Sequence, residues 1–444
     1  MLGVLLITAG LALGQVEAPP NPELQSSELA KKVERLERML GADTLQDREA
    51  AEKKLLELGP AVLPYLSIPN PRMSAEQRGR IQKIGDALRL KQAVASTSGT
   101  TVTLDVEKTK LSAVLKMIEE QTGNRFVDYE EHAAEEKADP EITLAVEGVP
   151  FWQAVDQVAA QAKLAIKPYV TDEGDQVVPG VALVDRSTDG SWRSEFVAYD
   201  GAFRFEAVRM RARRGLRESD VNRLELFLEA AWEPRLTPIA ATVNFDSFSA
   251  KVDEGGLLGG GESELPVTRR GKLALDVFEQ SSEFPVHLAL PSRDAKQIKS
   301  IRGTISALLP GRIETFRFER LATAKDVRQR VGDVTVVLNE VRKNQALWEV
   351  RIRVQFQDDA GALESHLASW VSTNDIYLQS LDGKRQQMAD AVDDPDAVTT
   401  QTGAGYFFVL EDDDSIDNYR LIYRTPGALV KRDVTFEFKD LPLP

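Results

Sequence analysis

The sequence predicts a multidomain α+β protein: an N-terminal helical segment, a small duplicated β-α-β domain and two tandem antiparallel β-sandwiches. Three observations predict this class. Up to about residue 95, apolar residues recur every three or four positions, as on one face of a helix. Beyond residue 99 they alternate with polar residues, as in strands that are buried on one face. In the C-terminal half, segments 314–321 and 434–441 match each other at an offset of 120 residues.

Composition restricts the classes of function. A chain of 444 residues is long enough for about three domains of about 150 residues each. The formal net charge of −15 argues against a nucleic acid partner, whose binding needs a cationic surface. The absence of cysteine excludes disulfides, thiol catalysis and cysteine metal sites. His132, His287 and His366 are too far apart in the sequence to form a local metal motif, and we expect no cofactor.

The first residues have the features of a secretory signal peptide. An apolar run of about 12 residues follows the initial methionine, whereas a membrane-spanning helix needs about 20. Ala12-Leu13-Gly14 then gives the small-x-small pattern of a signal peptidase site. We predict a signal peptide at 1–14 and an exported chain, periplasmic or extracellular, with no transmembrane segment after its removal; an uncleaved anchor is the alternative. Because a long exported chain without cysteine is unusual in eukaryotic secretion, we expect a bacterial envelope.

A linker and a helical segment follow. Residues 15–27 are rich in proline and polar residues, which predicts a linker, and the helical segment is expected at 28–95. One apolar stripe at helical spacing predicts the first helix: Leu29, Val33, Leu36 and Leu40. Asp43 or Asp47 is expected to cap the next helix, at 48–58.

The stretch REAAEKKLLELGPAVLPYL, residues 48–66, resembles the helix pairs of HEAT-like repeats, which recur near the start of many exported planctomycete proteins. The resemblance covers about one repeat, whereas a solenoid needs several stacked repeats for its stability. It implies either a helical cap packed on the next domain or a protein-docking surface. After it, Ser74 is expected to cap a helix that runs to about Leu90.

Residues 99–190 are predicted to form a small domain in which a strand–helix unit occurs twice. Thr143-Leu144 matches Thr103-Leu104 at an offset of 40 residues. Two stretches resemble the short N-terminal domain of secretins and TonB-dependent receptors (an STN-like domain): TLDVEKTKLSAVLKMIEEQTGNRFV and ITLAVEGVPFWQAVDQVAAQAKLAIKPY. The resemblance, over about 99–185, implies docking onto other envelope proteins and no chemistry.

Three local features of this domain carry further expectations. A strand is expected to begin at 125–127. Lys163 stands where the first unit has Gly123, which departs from the pattern of a glycine turn after the helix. The acidic segment 130–141 is either a solvated loop or a docking surface for a basic partner.

Two β-sandwiches are predicted, at 191–322 and 323–444. Apolar residues alternate with charged ones at 203–212 and at 348–354, as in antiparallel sheets with one buried face. Units of about 120 residues with many short strands are typical of a β-sandwich. The glycine-rich run at 255–261 is expected to be a hairpin loop.

The densest basic stretch is a candidate binding site for a ligand or partner and contains Arg209, Arg211, Arg213 and Arg214. The first three lie at a period of two, so on a strand they share one face. Such a face can hold an anionic polymer through bidentate hydrogen bonds. Solvation, or pairing with the acidic domain before it, is the alternative.

An acidic stretch is a weak candidate calcium loop and contains Asp412, Asp413, Asp414 and Asp417. Calcium prefers oxygen ligands, but the stretch lacks the ligand spacing and the central glycine of an EF-hand. A solvated hairpin turn is the alternative, and the same holds for the acidic cluster at 393–396.

The sequence contains no recognised catalytic motif. We therefore expect an exported non-enzymatic scaffold or adaptor of the bacterial envelope, acting through docking to envelope proteins that the sequence does not identify. One alternative is a binding module for an anionic envelope glycan. A second is a carboxylate-dependent hydrolase, which predicts a cleft where carboxylates of raised pKa converge.

Overall fold

A computed structural model describes most of the chain: residues 22–67, 69–127, 139–173, 176–186, 195–217, 222–253, 262–277, 279–332, 334–344, 347–356, 371–372, 374–393, 401–410 and 414–444. Several predicted features lie wholly or mostly outside these residues: the signal peptide at 1–14, the acidic segment 130–141, the glycine-rich run at 255–261, the acidic cluster at 393–396, and Asp412, Asp413, His132 and His366.

The chain divides into two compact units, residues 1–91 and 92–444. The protein is multidomain and β-rich, with several antiparallel sheets and few helices among the described residues. No helix in the described ranges is both long enough and apolar enough to cross a membrane.

The described part of the first unit is helical. It contains α1 (Pro22–Met39), α2 (Leu45–Leu58), a 3-10 turn (Pro60–Tyr65) and the start of α3 (Ala75–Ser96). α1 begins inside the predicted linker, because a proline suits the first turn of a helix, where its missing N–H would have no partner. A buried apolar cluster joins these helices and includes Val33, Leu36, Leu40, Leu55, Ile84 and Leu88.

The helix caps agree only in part with the sequence prediction. Thr44, and neither Asp43 nor Asp47, caps α2: its Oγ1 accepts a hydrogen bond from the Asp47 backbone N at 3.1 Å. Threonine is also among the residues that accept such a bond in a helix cap, so composition alone did not separate the candidates. Ser74 caps α3 as expected, through a 3.1 Å bond from the Gln77 N.

The second unit begins with two strand–helix units of equal size. Its first elements are β1 (Thr101–Lys110), α4 (Leu111–Thr122), β2 (Glu141–Pro150), α5 (Phe151–Ala162), β3 (Leu164–Glu173) and β4 (Gln176–Asp185). β1 pairs antiparallel with β2, and β3 with β4. The strand expected at 125–127 is only an isolated bridge between Phe126 and Val181, so that expectation was wrong.

Some positions 40 residues apart have similar backbone conformations and matching hydrogen bonds in the two strand–helix units. Gly123 and Lys163 both end their helices in the left-handed region, with φ of 71° and 59°. The Lys108 N donates to the Thr143 Oγ1, and the Gly148 N donates to the Thr103 Oγ1, each at 3.0 Å. Lys163 therefore occupies the position of the glycine turn without changing its geometry.

The strands after β4 have these bounds: β5 (Val197–Asp200), β6 (Phe203–Arg213), β7 (Arg223–Trp232), β8 (Ala240–Asn244), β9 (Ser249–Asp253), β10 (Glu262–Glu264), β11 (Lys272–Leu275), β12 (Ser281–Leu288), β13 (Gln297–Pro310), β14 (Ile313–Phe318), β15 (Lys325–Val331), β16 (Val334–Asn344), β17 (Leu347–Phe356), β18 (Ile376–Ser380), β19 (Arg385–Gln387), β20 (Asp390–Asp393), β21 (Gln401–Val409), β22 (Tyr419–Pro426) and β23 (Leu429–Pro442).

These strands form four antiparallel sheets. Sheet I has the order β12-β7-β6-β5, and sheet II the order β10-β9-β13-β8-β11 with β23 also paired to β13. Sheet III has the order β15-β16-β17-β21-β20, and sheet IV the order β14-β22-β18-β19. One buried apolar cluster takes residues from sheets I and II, such as Phe205 and Ile301, and another takes residues from sheets III and IV, such as Tyr406 and Phe316.

The two segments that match at an offset of 120 residues lie in opposite sheets. β14 follows β13 of sheet II but pairs with β22 of sheet IV, and β23 follows β22 but pairs with β13 of sheet II. The two segments of the chain cross at a pair of hydrogen bonds. The Gly311 N donates to the Ala428 O and the Gly427 N donates to the Arg312 O, each at 2.8 Å. We call this arrangement the strand exchange.

The strand exchange corrects the predicted boundary between residues 322 and 323. β23, in the predicted second sandwich, pairs with β13 from Gln297↔Pro442 to Pro310↔Leu429, so the boundary does not separate the two groups of sheets. The boundary was wrongly predicted because the two segments share one alternating pattern of apolar and polar residues. Phe316 and Phe318 are buried with sheets III and IV, whereas Phe436 and Phe438 are buried with sheets I and II, so the same alternation fits either core.

Candidate functional site

Three predicted site arginines lie on the outer face of sheet I. Arg209, Arg211 and Arg213 of β6 share this face, as their spacing predicts, and stand opposite Phe227, Glu225 and Arg223 of β7. The opposite face carries leucines of the buried cluster: Leu224, Leu226 and Leu228. Three glutamates cross the outer face in one row over adjacent strands: Glu206, Glu229 and Glu283.

The arginines of this face are partly engaged within the protein. Both terminal nitrogens of Arg209 donate to Glu283, at 2.8 and 2.5 Å, and its guanidinium carbon lies 4.0 Å from the ring centre of Phe227. The Arg211 guanidinium lies 5.3 Å from the same ring. Arg213 and Arg214 are exposed. With the row of glutamates beside it, this face is close to charge balance rather than densely cationic.

Arg204 joins the β-α-β region to sheet I. Its Nε donates to the Asp156 Oδ2 of α5 at 3.0 Å, and the Tyr199 hydroxyl donates to the same oxygen at 2.6 Å. Burial alone would lower the pKa of the Arg204 guanidinium, but the charges of Asp156 and then Glu206 outweigh burial and raise it. Arg204 therefore stays charged and serves as an internal ion-pair partner.

A second buried polar group joins the same regions. The Glu233 carboxylate, fully buried, accepts hydrogen bonds from the Thr100 N at 2.7 Å, the Asn124 Nδ2 at 3.2 Å and the Arg235 Nε at 2.7 Å. Arg235 also donates to the carbonyl oxygens of Ser96 and Ser98. We call this network the Glu233 lock.

A cavity of about 850 Å³ lies between β3 and the outer face of sheet I. Its polar lining includes Lys167, Glu206, Arg209, Glu229 and Ser281. Burial, and then the neighbouring charge of Glu206, raise the pKa of the Glu229 carboxyl. Glu206 is held by Arg204 at 2.5 Å. Sequence reasoning missed this cavity, because its lining comes from strands whose pairing no local pattern reveals.

The described part of the candidate calcium loop serves the local fold. The Asp414 carboxylate accepts hydrogen bonds from the Tyr419 hydroxyl at 2.5 Å and the Asn418 Nδ2 at 2.7 Å, which hold its pKa below the usual range. The Asp417 Oδ1 accepts a bond from the Ala322 N at 3.0 Å. Within the described ranges, no group of three or more His, Asp and Glu side chains is placed to hold a metal ion.

The outer face of sheet III carries a second group of cations, which we call the cationic face: Lys325, Arg328 and Arg330 of β15, Arg342 of β16, and Arg351 and Arg353 of β17. Sequence analysis missed it because three strands contribute to it. The available signal was the period-two spacing of Arg328 with Arg330 and of Arg351 with Arg353.

Comparisons of the chain with protein-family models, with curated proteins and with solved structures find no match.

Proposed function

We propose that this protein is an exported, non-enzymatic scaffold or adaptor of a bacterial envelope that docks to envelope proteins. In this proposal residues 99–190 act as an STN-like docking domain, and the HEAT-like segment acts as a cap or second docking element. Sheets I and II form one β-sandwich, and sheets III and IV form the other.

The observation that carries the proposal is the interlocking of residues 92–444. The strand exchange ties sheets II and IV together, while the Glu233 lock and the Asp156–Arg204 pair tie the β-α-β region to sheet I. Parts joined in this way keep fixed relative positions, and an adaptor needs its docking faces in fixed positions. Several residues suited to catalysis, among them Asp156 and Glu233, are engaged in these contacts.

The test is capture of proteins from a solubilised bacterial envelope extract on the immobilised full-length chain, at low and at high salt. We expect a discrete protein that the folded chain retains at high salt. The matched control is the same chain after denaturation, which presents the same charges without the fold. Retention of no protein at either salt, or equal retention by the denatured chain, would contradict the proposal.

The cavity beside β3 favours one second candidate function, a carboxylate-dependent hydrolase. Glu229 has the raised pKa that a general acid needs, and Glu206 stands directly opposite it on the neighbouring strand. A screen of glycoside and ester substrates tests this candidate. In that case the native chain and the exposed-site Glu437→Gln variant hydrolyse a substrate, and the Glu229→Gln variant does not. This result would favour the hydrolase over the adaptor.

A further inference from the structure

The cationic face contrasts with the charge of the whole chain. Among the residues that the structure describes, six cations share it with the carboxylates of Glu340, Glu349 and Asp390, in a protein whose formal net charge is −15. At its edge, the Asp326 carboxylate accepts a hydrogen bond from the Asn339 side chain. Cations gathered on one face create a local positive potential even in an acidic protein, and such a potential attracts an anionic ligand.

Strand register sets the spacing of these cations. Arg328 and Arg353 stand at the ends of one cross-strand row through Val337, and Lys325 and Arg351 at the ends of the next row through Glu340. Adjacent strands lie about 4.8 Å apart, and residues two apart on one strand are separated by about 6.8 Å. The charges therefore form an array across three strands, interrupted by the β-bulge between Leu338 and Glu340, rather than a pocket.

Glu349 orients two of the arginines. It accepts hydrogen bonds from the Arg342 Nε and the Arg351 Nε, each at 2.7 Å. Burial would raise the pKa of its carboxyl, but the bonds from Arg351 and Arg342 outweigh burial and hold the pKa below the usual range. The side chains of both arginines remain about half exposed, at 50% and 49%. Their guanidinium groups are thus held in place while part of each faces solvent.

The neighbouring strand keeps the face flat. Arg353 and Arg351 stand opposite Gly403 and Gly405 of β21. These glycines have no side chains that would project from the face beside the arginines. A Cβ atom at Gly405 would have no neighbour closer than 3.8 Å, so the space above this backbone is open. A protein partner would need a desolvated apolar centre, whereas this face offers charge spread over a flat surface. A linear polymer with repeating anionic groups fits such an array better.

We propose that the cationic face binds an anionic polysaccharide, whose repeating carboxylates contact the guanidinium groups of the arginines. The polymer lies across β15, β16 and β17, and each sugar carboxylate takes charge-assisted hydrogen bonds from one or two guanidinium groups. This site is separate from Arg209, Arg211 and Arg213 on sheet I and does not depend on the adaptor function.

The test is binding of the full-length chain to polygalacturonate, a linear polymer with one carboxylate per sugar, measured by affinity electrophoresis at low and high salt. The native chain should bind, and its affinity should fall as salt rises. The Arg328→Gln, Arg330→Gln double variant should lose about tenfold in affinity. Both positions are exposed on an edge strand, and thermal unfolding checks that the variant keeps its fold. Lys325→Gln provides a second variant with a smaller expected loss in the same direction.

The matched control is the Arg211→Gln, Arg213→Gln double variant, which removes two exposed arginines at the same spacing from sheet I. It should bind polygalacturonate as the native chain does. An equal loss in this control, or no binding by the native chain, would overturn the proposal. Binding of poly-glutamate without binding of polygalacturonate would also overturn it and would assign the face to an acidic peptide.

Discussion

At the scale of single residues, buried charges join the β-α-β region to the sheets. Glu233 accepts bonds from three segments at once, and its partners Thr100, Asn124 and Arg235 come from positions far apart in the chain. Burying a charge is costly unless hydrogen bonds satisfy it. Removal of the Glu233 carboxylate would therefore leave the Thr100 N, the Asn124 Nδ2 and the Arg235 Nε without their shared acceptor.

Replacing Glu233 should therefore destabilise this junction. We expect the Glu233→Ala variant to lose about 3–5 kcal/mol, the cost of breaking a buried charged pair. Hydrogen exchange measured by mass spectrometry should show faster exchange at 99–127 and at the end of β7. The Glu437→Gln variant removes an exposed carboxylate of β23 and is the control. Unchanged exchange around Thr100 in Glu233→Ala would show that the junction does not depend on the Glu233 lock.

Glu229 gives a pH-dependent prediction. Its pKa is raised in the folded protein by burial and by Glu206, so the folded state holds this proton more tightly than the unfolded chain, where the pKa is near 4.5. Ionised Glu229 therefore costs stability at neutral pH, and this cost disappears as the pH falls through the raised pKa towards 4.5. We expect the Glu229→Gln variant to unfold at a higher temperature than the native chain at neutral pH.

Thermal unfolding over a pH series checks this sign. The gain in unfolding temperature of Glu229→Gln should shrink as the pH falls. The control is Glu283→Gln, which removes the carboxylate paired with Arg209 and should not show a gain at neutral pH. A gain for Glu229→Gln that grows on acidification would contradict the assigned direction of the pKa shift.

At the scale of elements, the packing of β13 depends on a position without a side chain. A Cβ atom at Gly303 would lie 2.6–2.8 Å from ring carbons of Phe248, closer than real contacts allow. Phe248 itself contacts Phe436, with ring centres 5.5 Å apart. β13 therefore approaches the aromatic cluster of sheets I and II as closely as its backbone permits.

We expect the Gly303→Ala variant to be destabilised by about 1–3 kcal/mol, the usual cost of overpacking a core. Urea unfolding measures the loss. The matched control is Gly405→Ala, also in a paired strand, where the added Cβ would have no neighbour closer than 3.8 Å. The control should be neutral or slightly stabilising, because alanine also restricts the unfolded chain. Equal losses in the two variants would mean that strand glycines matter here for their backbone alone.

The sequence predicted individual strands and helices better than it predicted which strands pair with each other. The offset of 40 residues located β1 and β2, and the period-two spacing placed Arg209, Arg211 and Arg213 on one face. The partners of these arginines could not be predicted, because Glu283 lies in β12 and only the sheet order brings it beside β6. The cationic face was missed for the same reason, since no local window contains three strands.

At the scale of the whole molecule, the strand exchange makes the two groups of sheets depend on each other. The ring centre of Phe436, near the C-terminus, lies 4.8 Å from that of Phe205 in β6. Phe316 lies in β14, which follows β13 of sheet II in the sequence, yet it is buried with sheets III and IV. An offset of 120 residues identifies β14 and β23 as similar segments, but similarity cannot say which core each one joins.

Two substitutions test this dependence in opposite directions. The Phe436→Ala variant should lose about 3–5 kcal/mol and speed hydrogen exchange in β6 and β7, although it changes the last segment of the sequence. Phe316→Ala should have a similar cost but speed exchange in β16 and β17. Each variant is the control for the other. If Phe436→Ala sped exchange in β16 and β17 and not in β6 and β7, this result would contradict the strand exchange.

The strand exchange also determines when the protein can finish folding. A ribosome releases the chain from its N-terminus, so β13 leaves the ribosome long before β23 does. Until Leu429–Pro442 have been made, one edge of β13 has no partner, and the cluster around Phe205 lacks Phe436. Closing a loop of more than a hundred residues is also slow relative to forming a local hairpin. Completion of sheet II therefore waits until β23 has been synthesised, and until then β13 presents an unpaired strand edge.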